Sequence, residues 1–196
     1  KAAKSLGLNE IKFVGVGGLE DSNEGIELVQ DRILYGTVTC PTGGKAAVQY
    51  AVDILNKQKQ IPKKIILRSN SITLENISKY IAKANASPKD SRPKNKEITL
   101  GFAQTGRESE WRMANTESIK TAAMEAGIQL KFIEADNIQE KQIEILRSFI
   151  KEGVDIIAFS PIVESGWEEV LQEAKDAGIP VIITDRTVNV KDDTLW

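Results

Sequence analysis

The chain has 196 residues, 41% of them hydrophobic and 28% charged, with a net charge of −2. That length can bury a sizeable core, the composition is ordinary for a globular protein, and the mixed charge gives no footprint for nucleic acid or an anionic membrane. Histidine is absent and Cys40 is the only cysteine, which excludes a His- or Cys-centred catalytic constellation, a His or Cys metal cluster and an internal disulfide.

No run reaches the roughly 18 apolar residues of a membrane helix, and no signal peptide is read at the start. The chain opens at Lys1 in mid-pattern, as a processed or trimmed start would. Residues 1–8 read as a helix end closed by Gly7. Residues 11–16 are a short apolar run that suits a buried strand, stopped by Gly17-Gly18. Asp21 or Ser22 is placed to cap a helix through about Gln30, with Ile26 and Val29 on one face. Residues 33–39, rich in β-branched and aromatic side chains, read as a second strand. After Pro41-Thr42-Gly43-Gly44 a helix is expected, with Ala47, Tyr50, Ala51, Ile54 and Leu55 on one stripe. Residues 64–67 read as a further strand, and Thr73 as the cap of a short helix over 74–81.

Residues 84–96, ANASPKDSRPKNK, carry two prolines and four Lys or Arg with no large apolar side chain, the composition of a linker. A β-α-β-α-β-α-β series follows. Its strands are expected at 98–103, 130–135, 154–160 and 180–185, and its helices at 112–126, 138–152 and 167–177. Gly127, Gly153 and Gly178 stand where helices are closed by a left-handed residue. The strands are near-continuous apolar runs, as both faces of a covered parallel sheet require, so the fold class is α/β with doubly wound parallel sheets.

Open α/β sheets keep their ligands outside the carboxyl ends of the strands. Those ends carry Gln104 to Glu108, Ser160 to Glu164, and Thr184-Asp185-Arg186-Thr187. A ligand with many hydroxyls needs carboxylates that accept, guanidiniums that donate in a fixed fork, and an aromatic plane for its C–H face. Glu108, Trp111, Arg112, Asp185 and Arg186 supply that set. An Asp-Arg pair at a strand end serves equally as a solvated ion pair or a helix cap, and a Trp at a helix start, as Trp111 is, serves more often as a core anchor than as a stacking platform. Trp167 fits the packing stripe Trp167, Val170, Leu171, Ala174, and Glu164 is either a cap or a ligand contact. Gly15-Val16-Gly17-Gly18 lacks the third glycine of a dinucleotide fingerprint, and Thr42-Gly43-Gly44-Lys45 is not a phosphate-binding loop. Asp136, Asp192 and Asp193 converge with no other carboxylate, so no metal site and no cofactor are expected.

The run GFAQTGRESEWR, followed by QIEILRSFIKEGVDIIAFSPIVESGWEEVLQEAKDAGIPVIITDRTVNVKDD, resembles the amino-terminal lobe of periplasmic sugar-binding proteins. The likeness is to the galactofuranose-binding proteins of ABC importers, in the ribose-binding-like group, and it covers residues 97–196. It implies that Glu108, Trp111, Arg112, Asp185 and Arg186, with Gln104 as a further position, contact a bound sugar. Residues 1–83 resemble the carboxyl-terminal part of the same family, which here comes first. The resemblance implies a circular permutant, or a tail-to-head fusion, joined through 84–96. The fifth strand of lobe 1 and about the first half of lobe 2 are missing. A complementary polypeptide, or loss of that stretch from the chain, would account for the gap.

On this map residues 1–40 and 63–83 are segments of the carboxyl-terminal lobe. Residues 41–62 form a helix returning to lobe 1, and 97–196 form the amino-terminal lobe. The fold is then that of type I periplasmic-binding-protein lobes with the second lobe incomplete. Gly17 replaces the Asp that the second lobe usually offers, and Arg32 stands where a glycine is common. Residues 1–39 are expected not to be independently stable. The implied function is non-enzymatic capture of a monosaccharide (galactofuranose, ribose or a related aldose) between two lobes for an ABC permease. The alternatives are a sugar-sensing domain coupled to a sensor kinase, and a split fragment that binds only with its complementary chain. The implied location is extracytoplasmic, periplasmic or cell-surface, with a lipid anchor as one form.

Overall fold

The structure, a computed structural model, describes residues 5–7, 10–18, 24–57, 61–84 and 98–191. The first part of the chain gives β1 (Val14–Gly18), α1 (Glu24–Gln30), β2 (Gly36–Thr39), α2 (Gly44–Leu55), β3 (Ser71–Thr73) and α3 (Ser78–Ala84). The second part gives β4 (Thr99–Gln104), α4 (Glu110–Ala126), β5 (Gln129–Glu134), α5 (Gln139–Glu152), β6 (Ile156–Phe159), α6 (Glu168–Asp176) and β7 (Val181–Ile183). These elements divide into two compact units, Lys1–Pro41 with Ile66–Pro88, and Thr42–Ile65 with Lys89–Trp196.

The second unit is built around a four-stranded sheet in the order β5-β4-β6-β7, parallel throughout. Side chains alternate across it, as the pleat requires. Leu100, Phe102, Ile156 and Ala158 meet Ala47, Val48 and Ala51 of α2 and Ile119, Ala122 and Ala123 of α4 on one face. Ala103, Ile157 and Phe159 meet Ile145, Leu146 and Phe149 of α5 and Val170 and Leu171 of α6 on the other. The sheet is therefore doubly wound, and its strand order reverses at β4 and β6, whose carboxyl ends open the crevice where such folds hold ligands. Trp167 is packing, as its stripe implies. It is fully buried, its ring centroid lies 5.0 Å from that of Phe159, and its indole N–H donates to the Val163 carbonyl at 2.7 Å.

Two close approaches depend on glycine. A Cβ on Gly101, in the middle of β4, would stand 2.7 Å from the Phe149 ring. A Cβ on Gly44 would stand 2.6 Å from Ile119 Cγ1, where α2 crosses α4. Helices α4, α5 and α6 are followed by Gly127, Gly153 and Gly178 at φ 66°, 66° and 71°, as their positions imply.

The first unit is a three-stranded sheet in which β1 runs parallel to β2, and β2 runs antiparallel to β3. One of its faces packs Ile72 against Ile26, Val29 and Ile77. Several expectations are corrected here. Residues 64–67 form no strand, and Ile65, Ile66 and Leu67 are exposed. The strand is Ser71–Thr73, so this sheet is mixed rather than parallel. Asn76 explains the choice. Its side chain accepts from the Thr73 N–H and donates to the Ser71 carbonyl, both at 2.9 Å, fixing the register that buries Ile72. Thr73 presents its carbonyl to the Asn76 and Ile77 N–H groups, and the helix after it starts only at Ser78.

Residues 33–35 leave the expected strand because α1 is closed by Arg32, at φ 57°. The Arg32 N–H donates to Val29 O and the Ile33 N–H to Leu28 O, a left-handed helix end that uses up the segment before Gly36. Strand β1 starts at Val14, three residues later than expected, and runs on through Gly18. Val14 and Val16 are 62% and 87% exposed, so it is no buried strand. The expected cap at Asp21 or Ser22 and nearly all of 84–96 lie outside the described residues.

Left-handed backbone costs a non-glycine residue about 1–2 kcal/mol, part of which glycine returns through its freer unfolded chain. Arg32→Gly is therefore expected to stabilise the first unit by about 0.5–1 kcal/mol, read as slower amide exchange at Thr37 to Thr39. Gly101→Ala is expected to destabilise the second unit by about 1–3 kcal/mol through overpacking on Phe149, read as a lower urea midpoint.

Candidate functional site

Strand β4 ends at Gln104, and Ser109 caps the helix that follows, its hydroxyl accepting from the Arg112 N–H at 3.2 Å. The cap starts α4 at Glu110, two residues before the expected start. It puts Glu108 one turn ahead of Arg112, and Arg112 Nε donates to Glu108 Oε1 at 3.1 Å. Arg112 Nη2 reaches Asp185 Oδ2 at 2.8 Å, beyond the end of β7. The guanidinium is therefore held between carboxylates from two elements while Arg112 is only 4% exposed. It also lies 4.9 Å from the ring centroid of the half-buried Trp111.

Asp185 adopts φ 67°, and the Arg186 N–H turns back onto the Thr184 carbonyl at 2.7 Å. This is a γ-turn of the strained, positive-φ kind, and it presents the carboxylate to Arg112. Thr184 is held in turn by Ser160, hydroxyl to hydroxyl at 2.8 Å. Arg186 donates from Nη1 to the Ile162 carbonyl at 2.7 Å and stays half exposed. Gln104 is fully buried beneath the cluster. It donates to Thr116 Oγ1 at 3.3 Å, and that hydroxyl donates to the Arg112 carbonyl at 3.0 Å. The structure thus joins Glu108, Trp111, Arg112, Asp185 and Arg186 at one end of the sheet, with Gln104 below them. Glu164 points its side chain to solvent, and α6 is entered through Trp167 without a side-chain cap.

Burial pushes the Glu108 carboxyl up, but the hydrogen bonds from its own backbone N–H, from Arg112 and from Asn137, with the Arg112 charge, outweigh this. The carboxyl lies below the ordinary range and is ionised at neutral pH. Two carboxylates and two guanidiniums then balance, an arrangement suited to a neutral ligand bearing hydroxyls. Among the described residues, the buried side-chain polar atoms that lack a hydrogen-bond partner are Thr105 Oγ1, Arg112 Nη1 and both terminal atoms of Asn115. All belong to the β4–α4 junction.

Three contributors escape the sequence pattern. Gln142, fully buried on α5, donates to the carbonyls of Ala103 (3.1 Å) and Ser160 (2.8 Å), pinning the carboxyl ends of β4 and β6 together. Its signal was a polar residue on the apolar stripe with Leu146 and Phe149. Ser109 was readable as a helix cap. Asn137, which donates to Glu108 Oε2 at 3.4 Å, carried no signal. A separate cleft lined by Leu55, Ile150, Val154, Asp155, Ile179 and Pro180 lies at the amino ends of the strands, away from this cluster. Among the described residues no group of three acidic or sulfur side chains is placed to hold a metal.

The family model for the periplasmic binding protein domain matches residues 100–196. The galactofuranose-binding protein YtfQ of Escherichia coli (strain K12) is 50% identical over 99 residues, covering 50% of this chain and 31% of that protein. The fructose import binding protein FruE of Bifidobacterium longum (strain NCC 2705) is 40% identical over 95 residues, covering 48% and 29%. Among solved structures, the periplasmic component of the arabinose ABC transporter of Shewanella sp. ANA-3, bound to α- and β-L-arabinofuranose, superposes with a TM-score of 0.50. It shares 52% identity over 50% of this chain and 33% of that one. The chain thus spans about a third of the length of the relatives it matches. Residues 100–196 thus match the periplasmic binding protein domain family.

Proposed function

We propose that the second unit carries one sugar-binding wall of a non-enzymatic solute-binding protein that captures a monosaccharide for an ABC importer. The contact residues are Gln104, Glu108, Trp111, Arg112, Asp185 and Arg186. The observation that carries this reading is the buried Arg112 Nη1, a charged donor with no partner, with the Thr105 hydroxyl and the Asn115 side-chain amide also unpartnered at the same junction. A buried donor left unmet costs about 1–3 kcal/mol, and a ligand hydroxyl or ring oxygen that accepts from it recovers that cost. Glu108 and Asp185 fix the guanidinium beforehand, so little side-chain entropy is lost on binding. Trp111 offers an apolar edge to the C–H face of a sugar ring.

The names of the relatives support an aldose or ketose in furanose form as the ligand, and ABC import as the setting. In the whole protein a second lobe closes over this wall, a hinge motion around the ligand. Residues 1–40 and 63–83 are read as segments of that lobe, 41–62 as a helix of the first lobe, and 84–96 as the junction of a permuted order. The working location is extracytoplasmic, with delivery to a membrane permease. No helix among the described residues is long and apolar enough to cross a membrane.

Titration with L-arabinose, D-galactose, D-fructose and D-ribose, followed by tryptophan fluorescence, is expected to saturate with at least one sugar. A flat response to all four contradicts the reading. Arg186→Ala is expected to weaken that binding by about 1–3 kcal/mol, the cost of leaving polar partners unmet. Arg112→Ala is expected to abolish it and to lower stability by about 3 kcal/mol, because two carboxylates lose a buried partner. Glu108 accepts ligand hydroxyls only when ionised, and its carboxyl lies below the ordinary range. Affinity should therefore persist through mildly acidic pH and fall only as pH drops through that depressed value. Glu108→Gln should flatten this acid limb.

A further inference from the structure

The loop between β5 and α5 holds two consecutive non-glycine residues in left-handed backbone, Asp136 at φ 52° and Asn137 at φ 60°. Such residues are strained and persist where their surroundings over-determine them. What fixes this pair is the loop beside it. The Asn137 N–H donates to the Thr105 carbonyl at 2.8 Å, and the Ala135 N–H to the Gln104 carbonyl at 3.0 Å. The Asn137 amide then donates to Glu108 Oε2 at 3.4 Å. Gly106 leaves the room for this contact. A Cβ there would stand 2.8 Å from Asn137 Nδ2 and 2.9 Å from Glu108 Oε2.

Glu108 therefore has both oxygens engaged, Oε1 by Arg112 and Oε2 by Asn137. With the bond from its own backbone N–H, three of the carboxylate's roughly four acceptor sites are taken, so one is free while the group is held in a single orientation. The hydrogen-bonded chain runs Asn137, Glu108, Arg112, Asp185, and its two ends are both left-handed residues. We propose that Asn137 is a positioning residue that orients the Glu108 carboxylate, the counterpart of Asp185 on the other side of Arg112. For its effect on sugar affinity this rests on the reading of Glu108 as a ligand contact. For the orientation of Glu108 it does not.

The charged groups around Glu108 are already committed. Arg112 donates to it from α4, Arg107 of its own loop pairs with Glu134 of β5, and Asp136 pairs with Lys141 of α5. Asp185, beyond β7, meets Arg112 and its own neighbour Arg186. Asn137 is thus the neutral donor whose removal changes the field at Glu108 without breaking an ion pair.

Asn137→Gly tests this, because glycine keeps the left-handed backbone and removes only the amide. The Glu108 carboxyl is titrated by ¹³C NMR in the unliganded full chain, alongside thermal unfolding and L-arabinose titration. The account expects Glu108 to titrate at higher pH than in the parent, since a hydrogen bond to its charged form is lost. Thermal stability is expected to be unchanged or higher, and L-arabinose affinity about two- to tenfold lower. Gly106→Ala should move the Glu108 titration in the same direction. An unmoved Glu108 titration in Asn137→Gly overturns the proposal, whatever happens to stability. If the parent fails to bind L-arabinose and the other sugars, the proposed function falls while the titration still decides the role of Asn137. If the titration moves but affinity does not, Glu108 is no ligand contact and only the orienting role stands.

Discussion

An arginine buried to 4% exposure organises this end of the molecule. Removing such a charge from water is expensive unless it is paired and hydrogen-bonded. Arg112 is met by Glu108 from its own helix entrance and by Asp185 from beyond β7. Each partner needs a local device. Ser109 caps α4 so that Glu108 falls one turn ahead of Arg112, and Asp185 takes a strained left-handed turn that swings its carboxylate inward. The pairing leaves Nη1 without a partner. Two of the Arg112 nitrogens are paired and the third is bare, and that bare donor is what the proposed sugar contact rests on.

The sheet makes this affordable. Its order places the β4–α4 junction at the point where the winding reverses, so α4 leaves to one face and α5 to the other. Gln142 then sews the carboxyl ends of β4 and β6 together through two carbonyls, and Ser160 holds Thr184 behind Asp185. The polar cluster thus stands on a floor whose backbone groups are satisfied from within, as rigid positioning of a ligand contact requires. Gly101 lets Phe149 approach β4 closely beneath it.

Much of this was legible in the sequence because the signals were local and redundant. The second unit announced itself through apolar strand runs, helix stripes and three closing glycines, and its elements stand within a few residues of their expected places. The polar residues at strand ends were legible for the same reason: a charged side chain after an apolar run has only one place to go. The first unit was harder to read. Its apolar residues 65–67 looked more like a strand than Ser71–Thr73, yet the register was decided by Asn76 and by the burial of Ile72. Such a choice depends on a side chain folding back on its own loop, which composition does not reveal. Asn137 was illegible for a related reason, since its role comes from a left-handed backbone turn and from the space left by Gly106.

The central claim is that the bare face of Arg112 is a ligand contact. Arginine side-chain ¹⁵N NMR of the full chain during addition of L-arabinose, D-galactose, D-fructose and D-ribose tests it most directly. The account predicts that the Arg112 guanidinium resonances shift and saturate with at least one sugar while those of Arg147, tied to Glu173 on the helices behind the sheet, stay still. Arg112 resonances that remain unmoved by every sugar would contradict it.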